Sequence, residues 1–142
     1  MTLKNFFATL TLLCIVISNN VFAANSDKRL FVNLTSDELN RATMAIVFST
    51  RVLTEQRIPV TISLSVEGVR IADKNIPESR NADGNSLKEL LSGFIEKGGR
   101  VYICAMCMEN VGGIKEDELI DGVQIGGGMT ALFEEGTIAL SF

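Results

Sequence analysis

Apolar and polar residues along the chain follow two alternating patterns, one typical of buried strands and the other of amphipathic helices. Residues 30–34 form a short apolar run, and residues 58–66 alternate with a period of two and are rich in β-branched side chains. Both segments predict strands. Residues 39–56 and 86–97 place apolar side chains three and four positions apart, which predicts two helices, each with one buried face.

Turn and capping residues separate these elements. Thr35 or Ser36 is positioned to cap the first helix, and Glu38, three residues after Thr35, completes a capping-box pattern. Residues 67–84 carry mixed charge and turn signals and predict an irregular surface crossover. Long irregular segments also frame binding sites in many proteins.

The second half of the chain repeats the alternation on a shorter scale. Three further strands are predicted at residues 100–104, 122–125 and 137–140, with helical segments from residue 105, at 115–120 and at 129–135. Because strands and helices alternate throughout, we predict an α/β fold. We expect three layers, α/β/α, with helices on both faces of a mostly parallel sheet of about five strands.

The first 23 residues have a different character and predict a secretory signal peptide. Lys4 precedes an uncharged apolar stretch at residues 6–17, and Val21 and Ala23 suit signal peptidase, so we place cleavage after Ala23. The stretch is about 12 residues long, too short for a membrane span of about 20. We therefore expect a single domain at residues 24–142 in the periplasm or outside the cell, with no membrane contact after cleavage.

Composition excludes several classes of function. The chain has no histidine, which rules out Ser-His-Asp and Cys-His nucleophile pairs and histidine zinc ligands within it. The formal net charge is −4, and removal of residues 1–23 leaves 12 basic against 17 acidic residues, a net charge of −5. An acidic domain disfavours nucleic acid as a partner.

The candidate chemistry lies at Cys104 and Cys107. Cys104 ends a predicted strand, where reactive groups collect in parallel sheets, and the amide end of the following helix favours the thiolate. Cys107 lies about one helical turn further on. Because no other Cys or His remains after residue 23, one chain lacks the ligands of a zinc site, and we expect no metal and no cofactor. A buried structural pair is the alternative.

Residues 99–114, GRVYICAMCMENVGGI, followed by DELIDGV at 117–123, resemble the DsrE/DsrF-like family. The N-terminal half of the predicted domain, with IPVTISLSVEGV at 58–69, agrees with this resemblance. It implies a small α/β protein, commonly a homotrimer or homohexamer, that carries a persulfide on the cysteine matching Cys104. It also implies sulfur donor and acceptor proteins or small sulfur compounds as partners. Cys107 would resolve the persulfide by attack and leave a disulfide.

Three functional hypotheses remain open from the sequence. The first is an exported sulfur carrier or sulfurtransferase-like protein that uses Cys104. The second is a dithiol/disulfide redox protein that uses Cys104 and Cys107 together. The third is a non-catalytic oligomeric binding module in which the two cysteines only hold the chain together.

Overall fold

The computed structural model describes residues 27–142. The predicted signal peptide and its cleavage point lie outside these residues. Within them, five strands are present: Arg29–Leu34 (β1), Val60–Leu64 (β2), Arg100–Ile103 (β3), Val123–Ile125 (β4) and Thr137–Ser141 (β5). The α-helices are Leu39–Glu55 (α1), Leu87–Glu96 (α2), the short Ala105–Cys107 (α3) and Gly128–Leu132 (α4). A π-helix at Met108–Gly112 continues α3 directly, and 3₁₀ helices lie at Val66–Ala72 and Glu116–Glu118.

The five strands form one sheet in the order β4-β3-β2-β1-β5, and every neighbouring pair is parallel. The register aligns Val32 of β1 with Ile62 of β2, and Ile62 with Val101 of β3. The predicted α/β class, with a parallel sheet of about five strands, is confirmed.

The hydrophobic core lies on the face of the sheet that packs against α1 and α2. Alternate residues of the three central strands, among them Val32, Ile62 and Ile103, are almost completely buried there. Leu91 and Phe94 of α2 are buried in the same cluster. The apolar residues that recur every second position in the strands therefore pack against those that recur every three or four positions in the helices, in one core, as the sequence predicts.

The N-terminus of α1 differs from the predicted capping. The cap is Glu38 itself, whose carboxylate oxygens accept hydrogen bonds from the amides of Asn40 and Arg41. Ser36 instead accepts from the Glu38 amide, and Thr35 donates both its amide and its hydroxyl to the carbonyl of Phe142. The prediction of a Thr35 or Ser36 cap is wrong because Thr35 is drawn into a tertiary contact.

The opposite face of the sheet is more polar and carries, in the described part of the chain, only the short helix α4. Its residues include Asn33, Ser63 and Tyr102, which are only partly buried. The backbone enters α4 so close to Tyr102 that a side chain on Gly127 would come within 2.7 Å of the ring. The three predicted layers are therefore very unequal.

The prediction that residues 67–84 form an irregular crossover is partly wrong. Residues 66–72 form a 3₁₀ helix, held against the end of β1 by Gly68, whose amide donates to the Thr35 carbonyl at 3.1 Å. A Cβ on Gly68 would lie 2.3 Å from the Leu34 carbonyl oxygen, so only glycine permits this approach. The remainder, up to residue 86, is irregular.

Across residues 27–142, no helix has the length and apolar character needed to cross a bilayer.

Candidate functional site

Cys104 lies at the carboxyl edge of the sheet, directly after β3. Its amide donates to the Leu64 carbonyl at 2.9 Å, which extends the pairing of β3 with β2 by one residue. Cys104 then takes the N-cap position of α3, and its carbonyl accepts from the Met108 amide at 2.8 Å. The thiol is therefore fixed at a strand-to-helix junction, as the sequence predicts.

The two candidate cysteines are brought together by this turn. The sulfur of Cys104 accepts a hydrogen bond from the amide of Cys107 at 3.3 Å. Both cysteines are free thiols, and both are partly exposed to solvent. The site therefore presents two accessible thiols on one short turn.

The environment raises the pKa of the Cys104 thiol above its ordinary value of 9.0. Burial is the largest cause, and the Cys107 thiol acts in the same direction. The amides of Cys107 and Met106 stabilise the thiolate and oppose the shift, but they do not outweigh it. The expectation that the helix end favours the thiolate is thus correct for the local amides and wrong for the net direction.

The turn after Cys107 is braced by the 3₁₀ helix at Val66–Ala72. Arg70 donates to the Val111 carbonyl at 3.5 Å and forms an ion pair with Asp37 at 3.2 Å. Arg70 thus links the segment after β1 to the segment after Cys107. Sequence reasoning missed this residue because it lies in a segment without hydrophobic periodicity.

Val66 adds a strained residue beside this junction. Its φ of 51° lies in the left-handed region, which a β-branched side chain rarely adopts. It follows β2 by two residues, and Leu64, the last residue of β2, accepts the Cys104 amide. A left-handed conformation at such a residue costs about 1–2 kcal/mol, which the surrounding contacts offset.

A separate cavity of about 290 Å³ lies where the N-terminal ends of α1 and α2 meet. Its lining includes Asp37, Leu39, Arg70 and Leu87, but neither Cys104 nor Cys107. The thiols therefore lie outside this cavity, at a solvent-accessible turn.

Strands β1 to β4 are added in one direction across the sheet and β5 is added on the other side of β1, so the strand order reverses between β1 and β5. Ligands in open α/β sheets often bind at such a switch point. Here the carbonyl of Phe142 bridges this edge by accepting from Thr35, at 2.9 Å from the amide and 2.6 Å from the hydroxyl. The thiol site lies elsewhere on the same edge, after β3.

The fold of this chain is similar to that of known proteins. The sequence profile of the DsrE/DsrF-like family matches residues 23–137. The crystal structure of the ychN protein from E. coli is similar with a TM-score of 0.65 and 17% identity, covering 82% of this chain and 99% of that one. At that identity the likeness supports the fold alone. No curated protein is similar enough in sequence to count as a match.

Proposed function

The chain belongs to the DsrE/DsrF-like family, which is associated with sulfur relay, and on this premise we propose that it carries sulfane sulfur as a persulfide on Cys104. We further propose that it acts after export, in the periplasm or outside the cell. The observation that carries the proposal is the position of Cys104. Its thiol is accessible at the carboxyl edge of the sheet and accepts the amide of Cys107.

Loading is a thiol exchange in which Cys104 is the nucleophile. The Cys104 thiolate attacks the outer sulfur of a donor persulfide, the donor S–S bond breaks, and the donor leaves as a thiolate. The product is a persulfide on Cys104. Because the pKa of the Cys104 thiol is raised, only a small fraction is thiolate at neutral pH, and loading accelerates as the pH rises.

Unloading has two routes. An acceptor thiolate attacks the outer sulfur and takes it, which regenerates the Cys104 thiol. Alternatively, the Cys107 thiolate attacks the inner sulfur, which releases hydrosulfide and leaves a Cys104–Cys107 disulfide. That disulfide must be reduced by an external dithiol before the next cycle.

Sulfur relay requires partners, and we propose sulfur donor and acceptor proteins or small sulfur compounds in this role. We also propose a homo-oligomer, a trimer or hexamer. Large apolar side chains at the end of α4 and on β5 support this assembly, since Phe133, which caps α4, is 79% exposed and Ile138 is 57% exposed. Exposed apolar surface of this kind is typical of subunit interfaces.

A second candidate function is a dithiol/disulfide redox protein. It is favoured by the closeness of the two thiols, because the Cys107 thiol hydrogen-bonds with that of Cys104 and raises its pKa. In this case Cys104 and Cys107 would alternate between dithiol and disulfide without holding sulfane sulfur.

Mass spectrometry after incubation of the reduced protein with polysulfide separates the two functions. We expect one added sulfur on Cys104 in the wild type, a longer-lived adduct in Cys107→Ser, and none in Cys104→Ser. If the reduced wild type takes up no sulfur from any donor, the carrier function is wrong. A measured reduction potential then tests the redox function, which fails if the pair never forms an intramolecular disulfide. Failure of both leaves a non-catalytic binding module.

A further inference from the structure

The turn that carries the two thiols also contains a third sulfur atom. Met106 lies between Cys104 and Cys107, and its side chain is 69% exposed. The next methionine, Met108, is by contrast buried in the core at 6% exposure. The accessible ligating atoms of the turn are therefore two thiols and one thioether, all of them soft donors.

The two thiols lie on one turn, where the amide of Cys107 contacts the sulfur of Cys104 at 3.3 Å. Arg70, which reaches this region, is already engaged by Asp37 and the Val111 carbonyl. A cation bound by both sulfurs would offset the negative charge that is left when the thiol protons leave.

The available ligands select the kind of cation. In the described residues, no group of three or more His, Cys, Asp or Glu is arranged to hold a metal ion. A structural zinc site needs four ligands, so this chain does not provide one. Thiolate and thioether sulfurs instead favour Cu(I), a soft ion. The lack of further Cys and His residues after residue 23 excludes a four-ligand zinc site within one chain, but it does not exclude an ion bound by two or three sulfurs.

We propose that Cys104 and Cys107 form a Cu(I) site, with the thioether of Met106 as a third ligand. Binding displaces the two thiol protons, so each Cu(I) ion that enters releases two protons and leaves an anionic dithiolate complex. The copper enters and leaves as Cu(I), so the step requires no oxidant or reductant. Because the turn is exposed, the ion remains open to exchange with another thiol carrier.

The test is an anaerobic competition titration of the reduced full-length protein with Cu(I) and the chromogenic chelator bicinchoninate. All proteins carry Cys14→Ser, so that Cys104 and Cys107 are the only thiols present. We expect the protein to withdraw one Cu(I) per chain. Cys104→Ser and Cys107→Ser should each weaken binding by about 100-fold or more, since either change leaves a single thiolate.

Methionine variants test the third ligand. Met106→Leu should weaken Cu(I) binding by about tenfold while preserving side-chain size. Met129→Leu is the matched control, because Met129 is exposed to a similar extent, at 77%, but lies on α4. This variant should bind Cu(I) as tightly as the parent protein. If Met106→Leu and Met129→Leu bind Cu(I) with equal affinity, Met106 is not a ligand of the site.

The proposal is overturned if the parent protein withdraws no Cu(I) from the chelator, or if Cys104→Ser binds it as tightly as the parent. The same metal-free samples are also incubated with polysulfide, and the sulfur added to Cys104 is measured. This second measurement tests the carrier function separately from Cu(I) binding. Sulfur loading without Cu(I) binding overturns the copper site alone, and Cu(I) binding without sulfur loading overturns the carrier function alone.

Discussion

The amide of Cys107 donates a hydrogen bond to the thiol sulfur of Cys104 at 3.3 Å, and the Cys107 side chain at the same time raises the pKa of that thiol. One residue thus acts on the proposed nucleophile in two opposite directions. Its backbone stabilises the thiolate, and its side chain disfavours it. Because a substitution removes the side chain and keeps the amide, the two influences are separable by experiment.

Cys107→Ala should lower the pKa of the Cys104 thiol. The variant loses the neighbouring thiol, which raises the pKa, and retains the amide, which lowers it. The measurement is the rate at which iodoacetamide alkylates Cys104, determined at a series of pH values by peptide mass spectrometry. We expect this rate to rise at a lower pH in Cys107→Ala than in the wild type. Met106→Leu keeps both amides and serves as the control with an unchanged profile. A midpoint in Cys107→Ala equal to or above that of the wild type would contradict this account.

Gly68→Ala should destabilise the protein. The added methyl group would lie 2.3 Å from the Leu34 carbonyl oxygen, so the 3₁₀ helix must move away from the end of β1. Forcing an atom into such a contact costs about 1–3 kcal/mol in the free energy of unfolding, measurable by urea denaturation. Because Arg70 on the same 3₁₀ helix contacts the Val111 carbonyl, alkylation of Cys104 should also change.

Gly93→Ala is the matched control for that substitution. Gly93 lies within α2, and the nearest group to its added Cβ is the flexible Lys97 ammonium at 3.6 Å. Replacing a helical glycine by alanine should increase stability by about 0.5–1 kcal/mol. Destabilisation by both substitutions to the same extent would show that the close contact at Gly68 is not the cause.

Ser49→Ala should stabilise the protein. Ser49 is fully buried on α1, and its hydroxyl has no hydrogen-bond partner within the described part of the chain. Removing an unpaired buried hydroxyl, with a gain in helix propensity, should raise the free energy of unfolding by about 1 kcal/mol. Thr50→Ala is the comparison, because the Thr50 hydroxyl donates to the Ile46 carbonyl at 2.8 Å and should not give this gain. A loss of stability in Ser49→Ala would show that its hydroxyl is satisfied.

Glu134→Gln should reduce stability at neutral pH and make it less sensitive to acid. Arg100 binds both oxygens of Glu134, at 3.0 and 3.1 Å, and lowers the pKa of this carboxyl below its ordinary value of 4.5, with Arg29 contributing to a lesser extent. The stabilisation is therefore complete above pH 4.5 and is lost as the pH falls through the lowered value.

The measurement is the urea unfolding midpoint of wild type and variant between neutral and acidic pH. The difference between them should be largest near neutrality and shrink below pH 4.5. Glu135→Gln, a change at the exposed neighbouring residue, is the control and should have little effect at any pH. A difference that stays constant with pH would mean that the ion pair with Arg100 is not responsible.

Particular residues show how far sequence reasoning reached. The period-two pattern around Ile62 and the 3.6-residue pattern around Phe94 correctly predicted the strand and helix that bury them. Local reasoning failed at Thr35, which contacts Phe142 instead of capping α1, because a partner 107 residues away cannot be inferred from neighbouring positions. It failed at residues 66–72 for the same reason, since the approach of Gly68 to Leu34 joins two separate segments.

The sequence by itself determined the alternation of strands and helices, the parallel sheet and the position of Cys104 at a strand end, because these follow from local periodicity and from connections between neighbouring elements. Only the tertiary structure decided the direction in which the pKa of that thiol is shifted. The sum of burial, the Cys107 thiol and the local amides sets its pKa, and burial depends on how distant segments pack. The brace from Arg70 to Val111 and the uneven covering of the two sheet faces were likewise decided only by the way the whole chain packs.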